Sequence, residues 1–263
     1  MIDKVQMSVL GLFLAAAIAL SATSLASDES PALCCRSVES AWQSSCYIRV
    51  TLTIEVSTED GAVSTFGCWS GSGTLLSPSS GLVLTNFHVA DSTEKITARS
   101  YRIYFPWRDK PFQGKFIRSD RSKDLALLLL EGDFSEASKH CQDIILAPRD
   151  SEPKVLTEVW ALGSPFGMRH GASRGIISGL NRIVRLQLRY ANPSIPMPPK
   201  VTLKGMIQTD AAVNPGNSGG GLFDRNGVML GVVNSGQSFA NSIGFAIPAN
   251  KVHDFLAPSI KKK

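Results

Sequence analysis

No apolar run in this 263-residue chain reaches the length of a membrane-spanning helix, which argues against an integral membrane protein. Charge is scarce: Asp, Glu, Lys and Arg make up 19% of the residues against 43% hydrophobic ones, so the chain can bury a core and disorder is not its expected state. There is no C-x-x-C pair, and His140-Cys141 stands alone, which removes the usual thiolate metal motifs. Internal repeats and low-complexity tracts are missing. So is any N-x-[ST] sequon free of proline, and glycosylation therefore gives no clue to compartment. Long helical periodicity is missing too; the one persuasive helix is a short one near Ala249 to Leu256.

What is present begins with an export signal. Lys4 in a short polar start, the apolar run Val9 to Leu20 and small residues around Ala26 describe a secretory signal peptide over residues 1–26, with an uncleaved anchor as the alternative. The expectation is an exported protein, periplasmic or secreted, without firm membrane association once the signal is removed. Export makes Cys34, Cys35, Cys46, Cys68 and Cys141 candidates for disulfides, and their odd number leaves at least one free or paired between chains. The net charge of +5 invites a nucleic-acid reading, with Arg182, Arg185, Arg189, Lys200, Lys204 and the Lys261-Lys262-Lys263 tail as its support. Arg185, Gln187 and Arg189 alternate with Val184, Leu186 and Leu188, however, which is the wet face of an ordinary strand, so no nucleic-acid partner is expected.

The chain reads as almost all β. Ile48, Val50, Leu52, Ile54 and Val56 alternate with polar residues, the period of a half-buried strand. Further strands are expected at 73–76, 82–85, 96–104, 125–130, 155–162, 183–188, 201–208, 228–233 and 243–247. Turn formers separate many of them, as at Glu59-Asp60-Gly61, Pro78-Ser79-Ser80-Gly81 and Arg225-Asn226-Gly227. The charged, loop-rich middle divides the mature chain into a first β unit over 27–135, a linker over 136–154 and a second β unit over 155–263. The Pro-rich stretch 192–199 cannot join a strand ladder.

Chemistry gathers at three places. Gly216-Asn217-Ser218-Gly219-Gly220 surrounds a serine with residues lacking side chains, which lets substrate backbone approach Oγ and lets a neighbouring N–H face a developing oxyanion. The run also fits the G-x-S-x-G elbow of α/β-hydrolases. That fold needs a helix directly after the serine and then an acid and a histidine, whereas here another strand follows and only His253 remains downstream. His88, in Thr85-Asn86-Phe87-His88-Val89, ends an apolar strand and is the histidine best placed to activate a serine. Asp124 abuts the apolar run Leu125 to Leu130, either solvated at the strand's end or held inward with a partner. The order His, Asp, Ser is that of chymotrypsin-type enzymes.

The run Gln208 to Gly220 resembles the active-serine signature of the HtrA/Deg family of trypsin-like serine proteases. Gly71-Ser72-Gly73, Thr85-Asn86-Phe87-His88-Val89, Asp124-Leu125-Ala126, Leu162 to Gly167, Arg174 to Ser178 and Gly244 to Pro248 are similar to that family's other motifs, in order from about residue 71 to 250. The resemblance implies two six-stranded antiparallel β-barrels with a short C-terminal helix. It implies an endopeptidase with His88 as general base and acid, Asp124 as orienter and Ser218 as nucleophile. Backbone N–H groups of Gly216 and Ser218 would form the oxyanion hole with Asn217 shaping the loop, and no metal or organic cofactor is implied. Ala212 would lie at the base of the primary pocket beside Val213, with Val233, Asn234, Ser235 and Gly236 as its wall. None of these is charged, so cleavage after small or medium aliphatic residues is expected.

Gly221 stands where the family usually has proline, and Phe87 where a second Asn is common. Residues 251–263 leave no room for the PDZ domains that members often carry, so a form without PDZ is expected. Polypeptides, unfolded or damaged, are the expected substrates, and a homo-oligomer is possible. The alternative is a catalytically silent relative that serves as a binding or chaperone module.

Overall fold

The computed structural model describes residues 37–58, 61–90, 98–186, 201–236 and 242–257. The 1–26 segment, Cys34, Cys35, the Glu59-Asp60 turn, the 192–199 stretch and the lysine tail lie outside the described residues. Strands β1 (Ser45–Thr58), β2 (Gly61–Ser77), β3 (Leu82–Thr85), β4 (Ala98–Tyr104), β5 (Phe112–Asp120) and β6 (Leu125–Glu131) close an antiparallel barrel in the order β1-β2-β3-β6-β5-β4. The alternation in β1 decides which side faces in: Ile48, Val50 and Leu52 are buried while Arg49 is exposed.

The second sheet contains β7 (Ile145–Leu146), β8 (Glu158–Gly163), β9 (Gly171–Leu186), β10 (Val201–Thr209), β11 (Gly221–Phe223), β12 (Val228–Gly236) and β13 (Gly244–Pro248). Its order is β11-β8-β9-β10-β13-β12-β7, and β11 also pairs with β12, so all of these strands except β7 form an antiparallel ring. β7 adds to β12 in parallel, so the expected linker 136–154 contributes a strand to this sheet. On β9, Val184 is buried between exposed Ile183 and Arg185.

Helices fill the corners: α1 (Val38–Gln43), α2 (Phe87–Ala90), α3 (Ala137–His140) and α4 (Ala249–Leu256), the last with the bounds expected for the C-terminal helix. The other helices, and strands β5, β7 and β11, carry too little periodicity to be read in advance. β5 buries Phe112 but follows it with Gln113, Gly114 and Lys115, and it is a strand because β4 and β6 pair with its two edges.

The hydrophobic residues form a core inside each barrel and a layer between them. Ile48, Val50, Ile103, Phe105 and Leu128 fill the first barrel, and Val159, Ile177, Ile207, Leu222 and Val233 the second. Between them, Leu84, Leu125 and Leu127 meet Phe223, Met229, Val232 and Ile247, together with Val38 and Ala41 of α1 and Val252, Phe255 and Leu256 of α4. This explains why Leu125 to Leu130 shows no polar alternation. Ala126 and Leu128 belong to the barrel core and Leu125 and Leu127 to the inter-barrel layer, so both faces of β6 are buried.

The disulfide expectation needs correction for the described cysteines: Cys46, Cys68 and Cys141 are free thiols. Cys46 and Cys141 belong to the first barrel's core, where burial pushes both thiols up and Cys141 Sγ donates to the Gln43 carbonyl. Cys68 lies on the outside of β2, its sulfur accepting from Arg49 Nε at 3.3 Å.

Candidate active site

His88 and Asp124 come together because β3 and β6 are neighbours. α2 is a single turn after β3, pinned by buried Phe87, Val89 and Ala90, and this leaves the His88 ring partly exposed on the opposite side. Asp124 ends the tight turn between β5 and β6 with φ of 54° and is 2% exposed. A carboxylate so deeply buried needs donors, and it has them. His88 N donates to Oδ1 at 2.9 Å, His88 Nδ1 pairs with Oδ2 at 2.7 Å, and Asn234 Nδ2 donates to Oδ2 at 2.6 Å. Asn86 Nδ2 holds the Asp124 carbonyl at 2.9 Å. With Nδ1 giving its hydrogen to the carboxylate, Nε2 is left as the acceptor of a proton. The nearby Asp120 instead caps the turn: partial burial raises its pKa, but bonds from Lys123 and Ser122 outweigh this and leave it below the ordinary value.

Ser218 sits in a tight loop where Gly216 and Gly219 have φ of 103° and 88°. The loop is held by Asn217 N to Asn214 O and Gly220 N to Asn217 O, each 3.0 Å, and is tied to β12 by Gly219 N to Val233 O and Val233 N to Gly220 O, each 2.8 Å. Ser218 Oγ donates to the main-chain oxygen of Asn234 at 2.8 Å, and the described hydrogen bonds include none between this hydroxyl and His88. Asn234 thus touches both halves of the site, its amide on Asp124 and its carbonyl on Ser218. Sequence reasoning placed Asn234 only in the pocket wall, and the second role carries no local signal because its partner is 110 positions away. Asn86, two residues before His88, likewise has a partner that no local pattern announces, the Asp124 carbonyl 38 positions away.

The expected pocket residues lie beside this loop. Ala212 is exposed and its carbonyl accepts from Asn217 Nδ2 at 3.2 Å. Val213 is partly buried against Gly244, Val233 is in the second barrel's core, and Ser235 and Gly236 continue β12 toward the surface. Asp210 Oδ1 accepts from Ile176 N at 2.6 Å, which ties this carboxylate to β9. Buried Asn217 turns its amide nitrogen back into the loop, onto the Ala212 carbonyl. Among the described residues no group of His, Cys, Asp or Glu side chains is placed to hold a metal ion.

Behind the loop stands His170, with φ of 61°, its N bonded to Ser164 Oγ at 3.3 Å and its carbonyl to Trp42 Nε1 at 2.9 Å. Its Nδ1 is buried without a described partner. Burial, reinforced by the charge of Arg169, holds this imidazole below its ordinary value of 6.5. Between the folded and ordinary values the unfolded chain binds more protons than the folded one, so stability falls as the pH drops through that window. His170→Asn, which accepts the left-handed backbone, is expected to flatten the decline of melting temperature between about pH 7 and pH 5. An unchanged slope would remove His170 from the acid response.

Comparison with known proteins matches residues 71–232 to the model of a trypsin-like peptidase domain. The chain is 39% identical over 199 residues to a probable periplasmic serine endoprotease, DegP-like, of Pseudomonas putida strain W619, covering 73% of this chain and 35% of that protein. It is 35% identical over 184 residues to the periplasmic pH-dependent serine endoprotease DegQ of Escherichia coli strain K12, covering 68% of this chain and 35% of that one. Among solved structures, the HtrA-type protease AlgW with a decapeptide superposes with a TM-score of 0.60 at 25% identity, over 83% of this chain and 65% of that one. The chain spans about a third of the length of the curated relatives it matches.

Proposed function

Since the chain belongs to the family of trypsin-like peptidases, we propose that it is a serine endopeptidase that hydrolyses peptide bonds through an acyl-enzyme on Ser218. In this reading the Ser218 hydroxyl turns from the Asn234 carbonyl to His88 Nε2, loses its proton there and attacks the scissile carbonyl carbon. Asp124 holds the imidazole in the tautomer that receives the proton and stabilises the imidazolium. The backbone N–H groups of Gly216 and Ser218, with Asn217 shaping the loop, face the oxygen as it becomes negative. His88 then gives the proton to the leaving amine. Water, deprotonated by the same imidazole, attacks the acyl-enzyme, and collapse of that second intermediate frees the acid and returns the proton to Ser218.

The observation that carries this reading is the buried Asp124 carboxylate, bonded at once to the main chain and ring of His88 and to Asn234, the residue whose carbonyl holds Ser218 Oγ. A fluorescent organophosphonate is expected to label the wild-type chain covalently and to leave Ser218→Ala unlabelled. A folded wild type that neither labels nor cleaves an unfolded protein would sink the protease reading in favour of a silent binding module.

The uncharged residues expected in the pocket, Ala212 and Val213 with the β12 edge, support cleavage after Val, Ala, Ile or Leu, since a buried Lys or Arg would need an acid there. Discrimination among aliphatic residues is expected to be modest, because one methylene is worth only about 1–3 kcal/mol. Mapping new C-termini in a casein digest by mass spectrometry tests this, and a majority ending in Lys or Arg would overturn the pocket assignment while leaving the triad intact. Unfolded polypeptides in an exported compartment are the matching substrates, supported by the apolar Val9 to Leu20 run and by the periplasmic location in the relatives' names.

A further inference from the structure

The triad gives no task to Gly71-Ser72-Gly73, yet Ser72 is fully buried and its polar atoms all reach toward the site. Its N donates to the Ser218 carbonyl at 2.8 Å and its carbonyl accepts from Thr85 Oγ1 at 2.7 Å. Its hydroxyl donates to the Gly216 carbonyl at 2.7 Å and accepts from Ser164 N at 2.9 Å. A single side chain from β2 of the first barrel thereby fastens two loops of the second.

Resting on the protease reading above, we propose that Ser72 is a positioning residue for the oxyanion hole. A trans peptide is planar, so the direction of each N–H is fixed once the carbonyl of the same plane is fixed. The plane that carries Gly216 N–H also carries the Pro215 carbonyl, which accepts from Phe166 N at 2.7 Å. The next plane carries the Gly216 carbonyl, held by Ser72 Oγ, and Asn217 N–H, held by Asn214 O at 3.0 Å. Glycine at φ of 103° has no side chain to resist rotation of either plane. The hydroxyl of Ser72 supplies that resistance, directly at the Gly216 carbonyl and again through Ser164 N, which anchors the turn that presents Phe166 N. Without it, the buried Ser164 N–H and the part-buried Gly216 carbonyl lose their partner. The planes around Gly216 then turn to find another, and Gly216 N–H leaves the place where negative charge develops.

The expected loss is therefore in transition-state stabilisation rather than in substrate binding. Removing an oxyanion donor outright costs about 100- to 1000-fold in kcat, and misaligning one costs less. Ser72→Ala is expected to lower kcat by about 10- to 100-fold with KM changed less than about threefold. The affinity of an aliphatic peptide aldehyde, whose adduct with Ser218 carries the oxyanion, is expected to weaken by the same factor as kcat. Ser45→Ala removes another buried hydroxyl, bonded to the Trp42 carbonyl at 2.7 Å in the first barrel, and is expected to lower the melting temperature without changing kcat. If Ser72→Ala is recovered unfolded, Ser72→Cys carries the same comparison, with an intermediate loss of kcat and aldehyde affinity. A folded Ser72 variant with wild-type kcat and aldehyde affinity overturns the proposal, as does a loss confined to KM or matched by Ser45→Ala. Failure of the protease reading is distinct, because the wild type itself would then neither turn over substrate nor take the organophosphonate label.

Discussion

Replacing Ser218 or His88 by alanine is expected to lower turnover of a peptide substrate by about four to six orders of magnitude, because in the proposed mechanism nucleophile and base act as one unit and removing either leaves only binding and the oxyanion site. Asp124→Asn is expected to cost about four orders. Its Oδ2 receives both His88 Nδ1 and Asn234 Nδ2, and an amide nitrogen there would set donor against donor. The imidazole would then settle with its hydrogen on Nε2, where an acceptor is required. Asn234→Ala keeps every reacting atom but removes one bond to a buried carboxylate, and about tenfold in kcat is expected. Purified variants assayed on a fluorogenic peptide, each checked for a native melting curve, make the comparison. An Asp124→Asn variant that keeps the wild-type rate would transfer the orienting role to another acid, such as Asp120.

Gly219→Ala and Gly220→Ala are expected to be as damaging to the fold as the triad changes are to the rate. A Cβ on Gly219 would collide with the Ser72 carbonyl and Thr85 Oγ1, and one on Gly220 with the Leu162 carbonyl. These neighbours are backbone and a buried, bonded hydroxyl, so neither can give way cheaply. For Gly219 the φ of 88° adds strain. Backbone strain of about 1–3 kcal/mol and overpacking of about 1–3 kcal/mol sum to a large part of the stability of an ordinary domain. At about 2–4 °C per kcal/mol, a drop in melting temperature of roughly 5–20 °C is expected for Gly219→Ala, with activity lost as the Ser218 loop leaves β12. Calorimetry decides it: an unchanged melting temperature would mean that the loop can retreat from β2.

At these glycines the structure adds a reason that the sequence does not show. Read along the chain, Gly216 to Gly220 clears space for substrate; in the structure Gly219 and Gly220 clear space for the first barrel and for β8. The strands with clear alternation, such as β1, and the C-terminal helix were legible because their burial is written in the order of their own residues. β5, β7 and β11 were not, because they are strands by virtue of their neighbours' edges. Asp124 could be read either as a solvated strand end or as a partnered acid, and burial with three donors on its carboxylate decides for the second.

The sequence by itself determined the β architecture, through period-two alternation punctuated by turn formers, and it singled out the candidate reactive groups, through the order of a histidine, an acid and a glycine-flanked serine. Those features are local, and local patterns survive in one dimension. The tertiary structure alone decided which hydrogen bonds hold those groups: Asn234 shared between Asp124 and Ser218, Ser72 clamping the 164 and 216 loops, and Asp210 tied to β9. Each joins residues that are 16 to 144 positions apart. A buried polar atom takes whichever partner packing brings within about 3 Å, and that partner is fixed by how two closed sheets meet rather than by the order of residues along either one.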